Sequence, residues 1–422
     1  MSTPRAVKGM NDLLPAALPR WRRLEAAFWE TVRRYGYAEV RTPLVEPTEL
    51  FVRSIGEATD IVEKEMYTFV DRGQNTLTLR PEGTAGAVRA YLQHSVQGQE
   101  PTSKWAYLGP MFRRERPARG RYRQFWQAGV EVFGEEGPHV DAEMIDMVVG
   151  LLRDLGVDDL EVLVNSLGSG ETRARYREAL VEFLSPHAER LSEDSRRRLT
   201  TNPLRILDSK VPGDKEIAAG APSLLEYLSD EDRAHFDELT ACLEALGTPY
   251  RVEPTLVRGL DYYSRTLFEV QGRGGELGAQ NTLCGGGRYD GLVKTLGGPD
   301  IPSIGFAMGL ERILLVLDED EPGEPLDAFV ATASRDLRRA ALPLLSDLRR
   351  AGLRADGDLR GNSLKSQLRQ ANKRGARVAL VLGEQELERG VVQLKDLAAG
   401  ESRDVPRDEV AQATVDTVRE PA

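Results

Sequence analysis

Near the start of the chain, Trp21, Leu24, Phe28 and Val32 recur every three to four positions. That spacing predicts an amphipathic helix over Pro19–Tyr35, with Pro19 suited to its first turn. The strand-like segments Trp105–Phe112 and Tyr122–Phe133 flank Arg113–Arg121, a Pro- and Gly-containing loop loaded with arginine, and together they predict an antiparallel hairpin with a long basic tip. Further strand-like runs are Leu160–Asn165, Leu256–Leu260, Thr266–Val270 and Ser303–Met308. Strands grouped with flanking helices, without regular β–α–β alternation, indicate an α+β domain built on an antiparallel sheet. Between Asn165 and about Pro254 the texture changes to charged helical segments such as Glu171–Leu184 and Glu189–Leu199, which predicts a helical insertion over about 168–252.

The acidic run Asp318–Pro325 reads as a linker. Beyond it the pattern is strand Ala328–Thr332, helix Leu337–Ala351, helix Ser363–Arg374, strand Ala376–Leu382 and strand Val391–Leu394, an alternation that favours a small α/β domain. The polar tail Val405–Ala422 has room for one more helix. The expected division is therefore a catalytic domain over 1–318, a linker over 319–326 and a second domain over 327–422.

Composition narrows the function. A chain of 422 residues is long enough for two or three domains. Met1–Met10 carries Arg5 and Lys8 with no apolar stretch behind them, and the longest apolar runs, Ile313–Leu317 and Val378–Leu382, are too short to span a bilayer. A soluble cytoplasmic protein is the expectation. Two cysteines, Cys242 and Cys284, and four histidines without ligand spacing offer no disulfide framework or zinc motif. Chemistry resting on a protein nucleophile or a bound transition metal is therefore not expected. The net charge of −11 argues against a protein that coats nucleic acid indiscriminately, whereas the stretch from Leu326 onward is about +2 and permits local RNA contact.

Four segments carry candidate chemistry. In the hairpin's second strand, Arg123, Phe125, Gln127, Gly129 and Glu131 share one face, beside a loop bearing Arg113, Arg114, Arg116, Arg119 and Arg121. A solvated face is the plainer account of such a strand alone; the arginine cluster shifts the balance towards oxyanion recognition. In Leu79–Thr84, Glu82 and Thr84 flank Gly83, an arrangement that suits either an ammonium clasp or simple helix capping. The segments Val257–Thr266 and Cys284–Gly291 bring glycine, arginine and tyrosine together, as a ligand lining or as tight turns. In Ser303–Ile313 a strand runs into a helix whose first turn holds Arg312, a poor place for a cation unless an anion binds there; Glu311 as its salt-bridge partner is the alternative.

In this order and spacing the segments closely resemble the histidyl-tRNA synthetases, a class II aminoacyl-tRNA synthetase family. Leu108–Glu131 looks like the second signature motif of the class and Gly305–Arg312 like the third. Val257–Thr266 and Gly285–Gly291 resemble the two peptides peculiar to the family, Lys8–Pro15 its N-terminal signature, and Asn362–Asp396 its anticodon-binding domain. The resemblance implies a class II antiparallel-sheet catalytic domain with a helical insertion and a C-terminal α/β anticodon-binding domain.

It further implies activation of L-histidine with ATP, assisted by Mg²⁺, and transfer to tRNA(His). Glu82, Thr84 and Gln127 would hold the α-amino group; Glu131 and Tyr263 would read the imidazole, with Tyr262 and Tyr289 completing the pocket. Arg113 would bind the α-phosphate, Arg121 and Arg312 the outer phosphates, and Arg258 would be the catalytic arginine. Trp126 and Arg114 stand where family members often carry histidine, and Trp126 alternates away from the substrate face. Lys365, Arg369, Lys373, Arg374 and Arg377 are candidates for tRNA contact, although a solvated helix face explains them nearly as well. A homodimer with Tyr35–Glu49 at the subunit contact is also implied. The competing reading is a non-catalytic, histidine-sensing regulatory subunit of ATP phosphoribosyltransferase. Such paralogues typically lack the C-terminal domain and several of the arginines.

Overall fold

The computed structural model describes residues 3–57, 59–273, 281–317 and 325–420. The expected linker therefore lies almost wholly outside the described residues. The chain divides into two compact units, Met1–Glu319 and Asp320–Ala422.

Among the described residues, the first unit is organised by an eight-stranded sheet in the order Ala38–Glu39, Ser103–Phe112, Gln124–Phe133, Ser303–Gly309, Thr282–Arg288, Ser264–Gly272, Leu160–Ser166, Arg251–Val252. The six inner strands pair antiparallel, and the short outermost strand at each edge pairs parallel. The basic hairpin forms as its pattern predicts, with Gly129 opposite Tyr107 and Glu131 opposite Trp105. One expectation fails, since Leu256–Leu260 is irregular. The glycine-rich run read as a lining or a turn does line the cavity described below, but as part of a central strand, Thr282–Arg288, that the pattern did not show.

Alternation sorts the two sheet faces. Ala128, Val130 and Val132 join Ala106, Phe268, Val270, Ile304 and Met308 in the main core. That face is covered by the helices Leu18–Arg34, Pro138–Asp154 and Asp230–Leu246, through Trp21, Leu24, Phe28, Val148, Leu152, Phe236, Leu239 and Leu243. The odd-numbered positions of Gln124–Phe133 are left for the other face, where the cavity described below opens. The expected insertion is helical, with Gly170–Leu184, Glu193–Thr201, Pro212–Ala218 and Asp230–Leu246. The last of these starts where Ser229 accepts the Asp232 amide at 3.2 Å, carries three acids in its first turn and stops at Gly247, whose φ of +70° ends the helix cheaply.

A fully buried ion pair ties sheet to helix. Arg288, at the end of its strand, meets Asp141 in the first turn of Pro138–Asp154, both with fully buried side chains. Its Nε donates to Asp141 Oδ2 at 2.9 Å, and one terminal nitrogen reaches Asp141 Oδ1 at 2.8 Å and the Gly137 carbonyl at 2.6 Å. The other donates to the Glu135 carbonyl at 2.9 Å and Asp290 Oδ1 at 3.2 Å. Four hydrogen bonds and one further ion-pair contact thus surround the guanidinium.

The second unit holds a five-stranded sheet in the order Ala355–Gly357, Ala328–Thr332, Val378–Leu382, Val391–Asp396, Ser402–Pro406, the first three parallel and the rest antiparallel. Arg338–Arg350, Leu364–Lys373 and a terminal helix, Val410–Arg419, pack against it.

Replacing Arg288→Met leaves the Asp141 carboxylate buried without its partner, and urea unfolding should show a loss of about 3–5 kcal/mol. Removing both charges with Arg288→Met and Asp141→Leu should recover part of that loss. Equal stability of the single variant and the parent would contradict this account of the pair.

Candidate active site

A cavity of about 140 Å³ opens on the bare face of the large sheet. It is lined by Glu82, Thr84, Arg113, Arg121, Gln127, Arg258, Tyr262, Tyr263, Tyr289 and Arg312, ten positions drawn from five separated stretches of sequence. Glu131 does not line it; its carboxylate lies fully buried just beneath, reached through Tyr289 and Gly305.

The narrow end is built around that carboxylate. Tyr107 donates to Glu131 Oε1 at 3.0 Å and Tyr289 donates to Oε2. Burial pushes Glu131 up to about 8, against the pull of the Tyr289, Thr84 and Tyr107 hydroxyls. Rings surround the same space, with Tyr262 at 4.8 Å from Tyr263 and 5.6 Å from Tyr289 between centroids. The room beside Gly129 is occupied: the Tyr107 ring lies over Gly129 and Gly83, so a methyl group at either would collide with it. Glu82 accepts the amides of Thr84 at 2.6 Å and Ala85 at 2.9 Å, so it caps the helix Thr84–Gln93 while still facing the cavity. Gln127 Oε1 is buried and receives no hydrogen bond from the described residues, a polar acceptor left for a donor in the cavity.

Arginines hold the wider end. Arg113 lies over the Phe125 ring, 5.3 Å from its centroid, and donates to the Pro81 carbonyl at 2.9 Å. Arg121 is paired with Glu115 and stands 3.7 Å from Glu65. Arg258 is fixed by Glu269 at 2.9 Å and lies flat over Gly285, where any Cβ would strike its guanidinium. Burial alone would raise Glu269, but Arg258, Thr282 and Gln271 outweigh it and hold the carboxyl below its ordinary value. Arg312 donates to the carbonyls of Gly120 at 3.3 Å and Thr282 at 3.1 Å. Burial, followed by the charges of Arg258, Arg113 and Arg121, pushes it down to about 10.

Glu311 is not the partner of Arg312 suggested as the alternative. Both its oxygens accept the Trp126 amide at 3.0 Å, and burial raises it to about 7. It thereby fastens the hairpin to the start of the helix Leu310–Leu314. Trp126 itself points to the opposite face, edge-on to Trp21 with centroids 6.0 Å apart. Sequence reasoning missed Tyr107, Glu115 and Glu269. For Tyr107 a signal existed, since pairing the hairpin through its loop sets a tyrosine opposite Gly129.

The expected RNA-contact residues lie in the second unit. Lys365, Arg369 and Lys373 are exposed along one face of Leu364–Lys373. Arg374 is paired with Asp356, and Arg377 with Asp396 at 3.0 Å.

A mostly antiparallel sheet whose open face carries arginines and carboxylates around a deep cavity, followed by a smaller α/β unit, is the architecture of a class II aminoacyl-tRNA synthetase. Residues 9–313 match the family profile described as histidyl-tRNA synthetase, and residues 327–416 match an anticodon binding domain. The chain belongs to the histidyl-tRNA synthetase family. It is 54% identical over 416 residues to a histidine–tRNA ligase of Sorangium cellulosum, covering 99% of this chain and 97% of that protein. Among solved structures, the S. aureus histidyl-tRNA synthetase superimposes with a TM-score of 0.81 at 38% identity, over 98% of this chain and 100% of that one. The Bacillus halodurans protein described as an ATP phosphoribosyltransferase regulatory subunit/histidyl-tRNA synthetase shares the fold, with a TM-score of 0.66 at 22% identity over 90% of this chain and 98% of that one.

The Glu131 shift carries a sign. A carboxyl raised from 4.5 to about 8 by folding stabilises the protein fully below pH 4.5, and that contribution is lost as pH rises through 8. The stability of the parent relative to Glu131→Gln should therefore fall by about 1.4 kcal/mol per pH unit across this window, as read from urea unfolding without substrates. A pH-independent difference would contradict the buried-acid description.

Proposed function

We propose that the cavity of the first unit binds L-histidine at its tyrosine-lined end and ATP at its arginine-lined end, and joins them as histidyl adenylate. The chain is a histidine–tRNA ligase, and adenylate formation is followed by transfer to tRNA. The observation that carries the site assignment is that Arg258, Tyr263, Gln127 and the arginines 113, 121 and 312 share one cavity with the Glu131 carboxylate beneath it.

The first step joins two anions: the histidine carboxylate attacks the α-phosphorus of ATP and pyrophosphate leaves. Alignment and charge neutralisation dominate such a reaction. Glu82, Thr84 and Gln127 receive the α-ammonium, for which Gln127 Oε1 is an uncommitted acceptor. Glu131 and Tyr263 read the imidazole, and Tyr262 and Tyr289 close around it. An apolar competitor leaves the buried carboxyl without its partner, which is the costly mismatch. Arg258, held by Glu269, lies between the carboxylate and the α-phosphate and is the catalytic arginine. Arg113 takes the α-phosphate, and Arg121 and Arg312 take the outer phosphates with bidentate geometry. In the second step a terminal ribose hydroxyl of tRNA(His) attacks the adenylate.

Mg²⁺ would enter with the phosphates at the wider end, where Glu115 lines the cavity and would offer the oxygen donor this ion prefers by exchanging Arg121 for the ion. Bound there, it would neutralise charge on the phosphates. A homodimer is supported by exposed apolar residues on and beside the Tyr35–Glu49 segment: Leu44 and Val45, with Phe69 and Val70 on a neighbouring three-stranded sheet. A cytoplasmic location is what a ligase of this family implies; among the described residues no helix is long and apolar enough to cross a membrane. The regulatory-subunit reading is disfavoured because all four arginines face the cavity and the C-terminal domain is present.

The purified chain should catalyse histidine-dependent ATP–pyrophosphate exchange, and none with the other amino acids. Arg258→Ala should slow exchange by about 10²–10³-fold with little change in histidine affinity by calorimetry; unchanged turnover would remove Arg258 from the mechanism.

For tRNA, reversing Lys365, Arg369 and Lys373 together to glutamate should flatten the salt dependence of binding, with a log–log slope about 3 units shallower in filter binding. Unaltered affinity and slope would retire the helix face as a contact.

A further inference from the structure

Away from the cavity, the packing of two helices brings together three residues that are remote in sequence. His139 sits in the first turn of Pro138–Asp154, while Glu238 and Cys242 lie one turn apart on Asp230–Leu246. His139 Nε2 is 3.4 Å from Glu238 Oε1, Cys242 Sγ is 3.8 Å from the same oxygen, and all three ligand atoms fall within 4.8 Å of one another. We propose that His139, Glu238 and Cys242 form a surface site for a borderline-soft divalent cation of the Zn²⁺ class, a clip between the two helices that is separate from the synthetase reaction.

Three arguments carry it. Tetrahedral Zn²⁺ with bonds of about 2.0 Å to nitrogen and oxygen and about 2.3 Å to sulfur puts ligand atoms roughly 3.3–3.5 Å apart; His139 Nε2 and Glu238 Oε1 already stand at 3.4 Å, and Cys242 Sγ, at 3.8 Å from the same oxygen, has only a few tenths of an ångström to close. The donor set is also chemically coherent. A thiolate, an imidazole and a carboxylate with a fourth position open to water is a zinc-type complement, whereas Mg²⁺ seeks oxygen ligands throughout. Finally, the backbones are preset. Leu239 and Leu243 are buried next to the two ligands of one helix, Val140 and Ala142 of the same core follow the ligand of the other, and Cys242 itself packs against this core. Closing the three ligands on an ion therefore needs side-chain adjustment only. With Glu238 next to it, the Cys242 thiol stays protonated beyond its ordinary range, since burial and then the carboxylate both oppose the thiolate. A divalent cation would remove that opposition.

The test uses the full-length protein after chelator treatment. Co²⁺ serves as the probe, followed by its thiolate charge-transfer absorption and displaced by Zn²⁺. In parallel, Cys242 is labelled with a chromogenic disulfide, which reads this thiol selectively because Cys284 is almost fully buried. The expected result is one equivalent of Co²⁺ with a sulfur-dependent band, labelling slowed by micromolar Zn²⁺ and untouched by millimolar Mg²⁺. His139→Gln and Cys242→Ser should each weaken the ion by about tenfold or more while leaving pyrophosphate exchange unchanged. His139 is exposed and Cys242 is half-buried with a serine close to it in size, so the variants should fold as the parent does, checked by their thermal midpoints. Zn²⁺ that fails to protect the thiol, or that binds both variants as it binds the parent, would overturn the site.

Discussion

The fold turns on one guanidinium. Arg288 ends a central strand at the point where the chain must leave the sheet, and its guanidinium holds the start of a core-covering helix, two loop carbonyls and Asp290. Thr266 on the neighbouring strand adds a bond to Asp141 at 2.5 Å. Because Tyr289 follows directly and its amide is held by the Ser303 carbonyl at 2.8 Å, the buried pair also sets the angle at which the Tyr289 hydroxyl meets Glu131. A charge pair buried this completely contributes little net stability over an apolar replacement. What it provides is position: strand end, helix start and recognition pocket share one anchor.

A second constraint follows from the shape of the sheet. The groups that would handle substrate lie along its surface instead of standing away from it, and each occupies the space where a neighbouring strand lacks a side chain. Tyr107 lies over Gly129, Arg258 over Gly285 and Glu131 against Gly305. In register, Gly287 faces Gly305 across one strand pair and Gly305 faces Glu131 across the next. Stripping the middle of the sheet of Cβ atoms lowers the floor by about one side-chain layer, so rings and guanidinium groups fit between backbone and ligand. Glycine weakens a strand intrinsically; here the lost packing is replaced by the side chains that cover it.

Much of this was legible in the sequence, and the failures share a cause. Strands with alternating hydropathy, such as Gln124–Phe133 and Ser264–Gly272, and the amphipathic helix Leu18–Arg34 could be read directly, because one face of each meets the core. Thr282–Arg288 could not, since three consecutive glycines carry no hydropathy signal. Leu256–Leu260 misled in the opposite direction. It has a strand's residues, but its carbonyls go to side chains, Leu256 to Asn165 at 3.0 Å and Arg258 to Arg205 at 2.7 Å, so no ladder forms. The cavity-lining positions stood out because arginines and tyrosines concentrate in short motifs. Tyr107, Glu115, Glu269 and Glu311 act through cross-strand register or long-range pairing, which local pattern does not encode. The same holds for His139, whose neighbours Glu238 and Cys242 lie about a hundred residues away.

The gathering of Arg113, Arg121, Arg258 and Arg312 around one space has a thermodynamic corollary. Like charges confined together raise the free energy of the folded chain, and the depressed affinity of Arg312 for its proton, due first to burial and then to Arg258, Arg113 and Arg121, registers part of that tension. On the proposed assignment, a polyphosphate lying among them would convert mutual repulsion into attraction, so part of the affinity for nucleotide would be energy the native state holds in reserve. Melting temperature and nucleotide affinity are then two faces of one quantity. Changes that relax the cluster should make the protein hardier and a poorer host for its phosphate-bearing substrate, the familiar opposition between robustness and activity, here traceable to four named side chains.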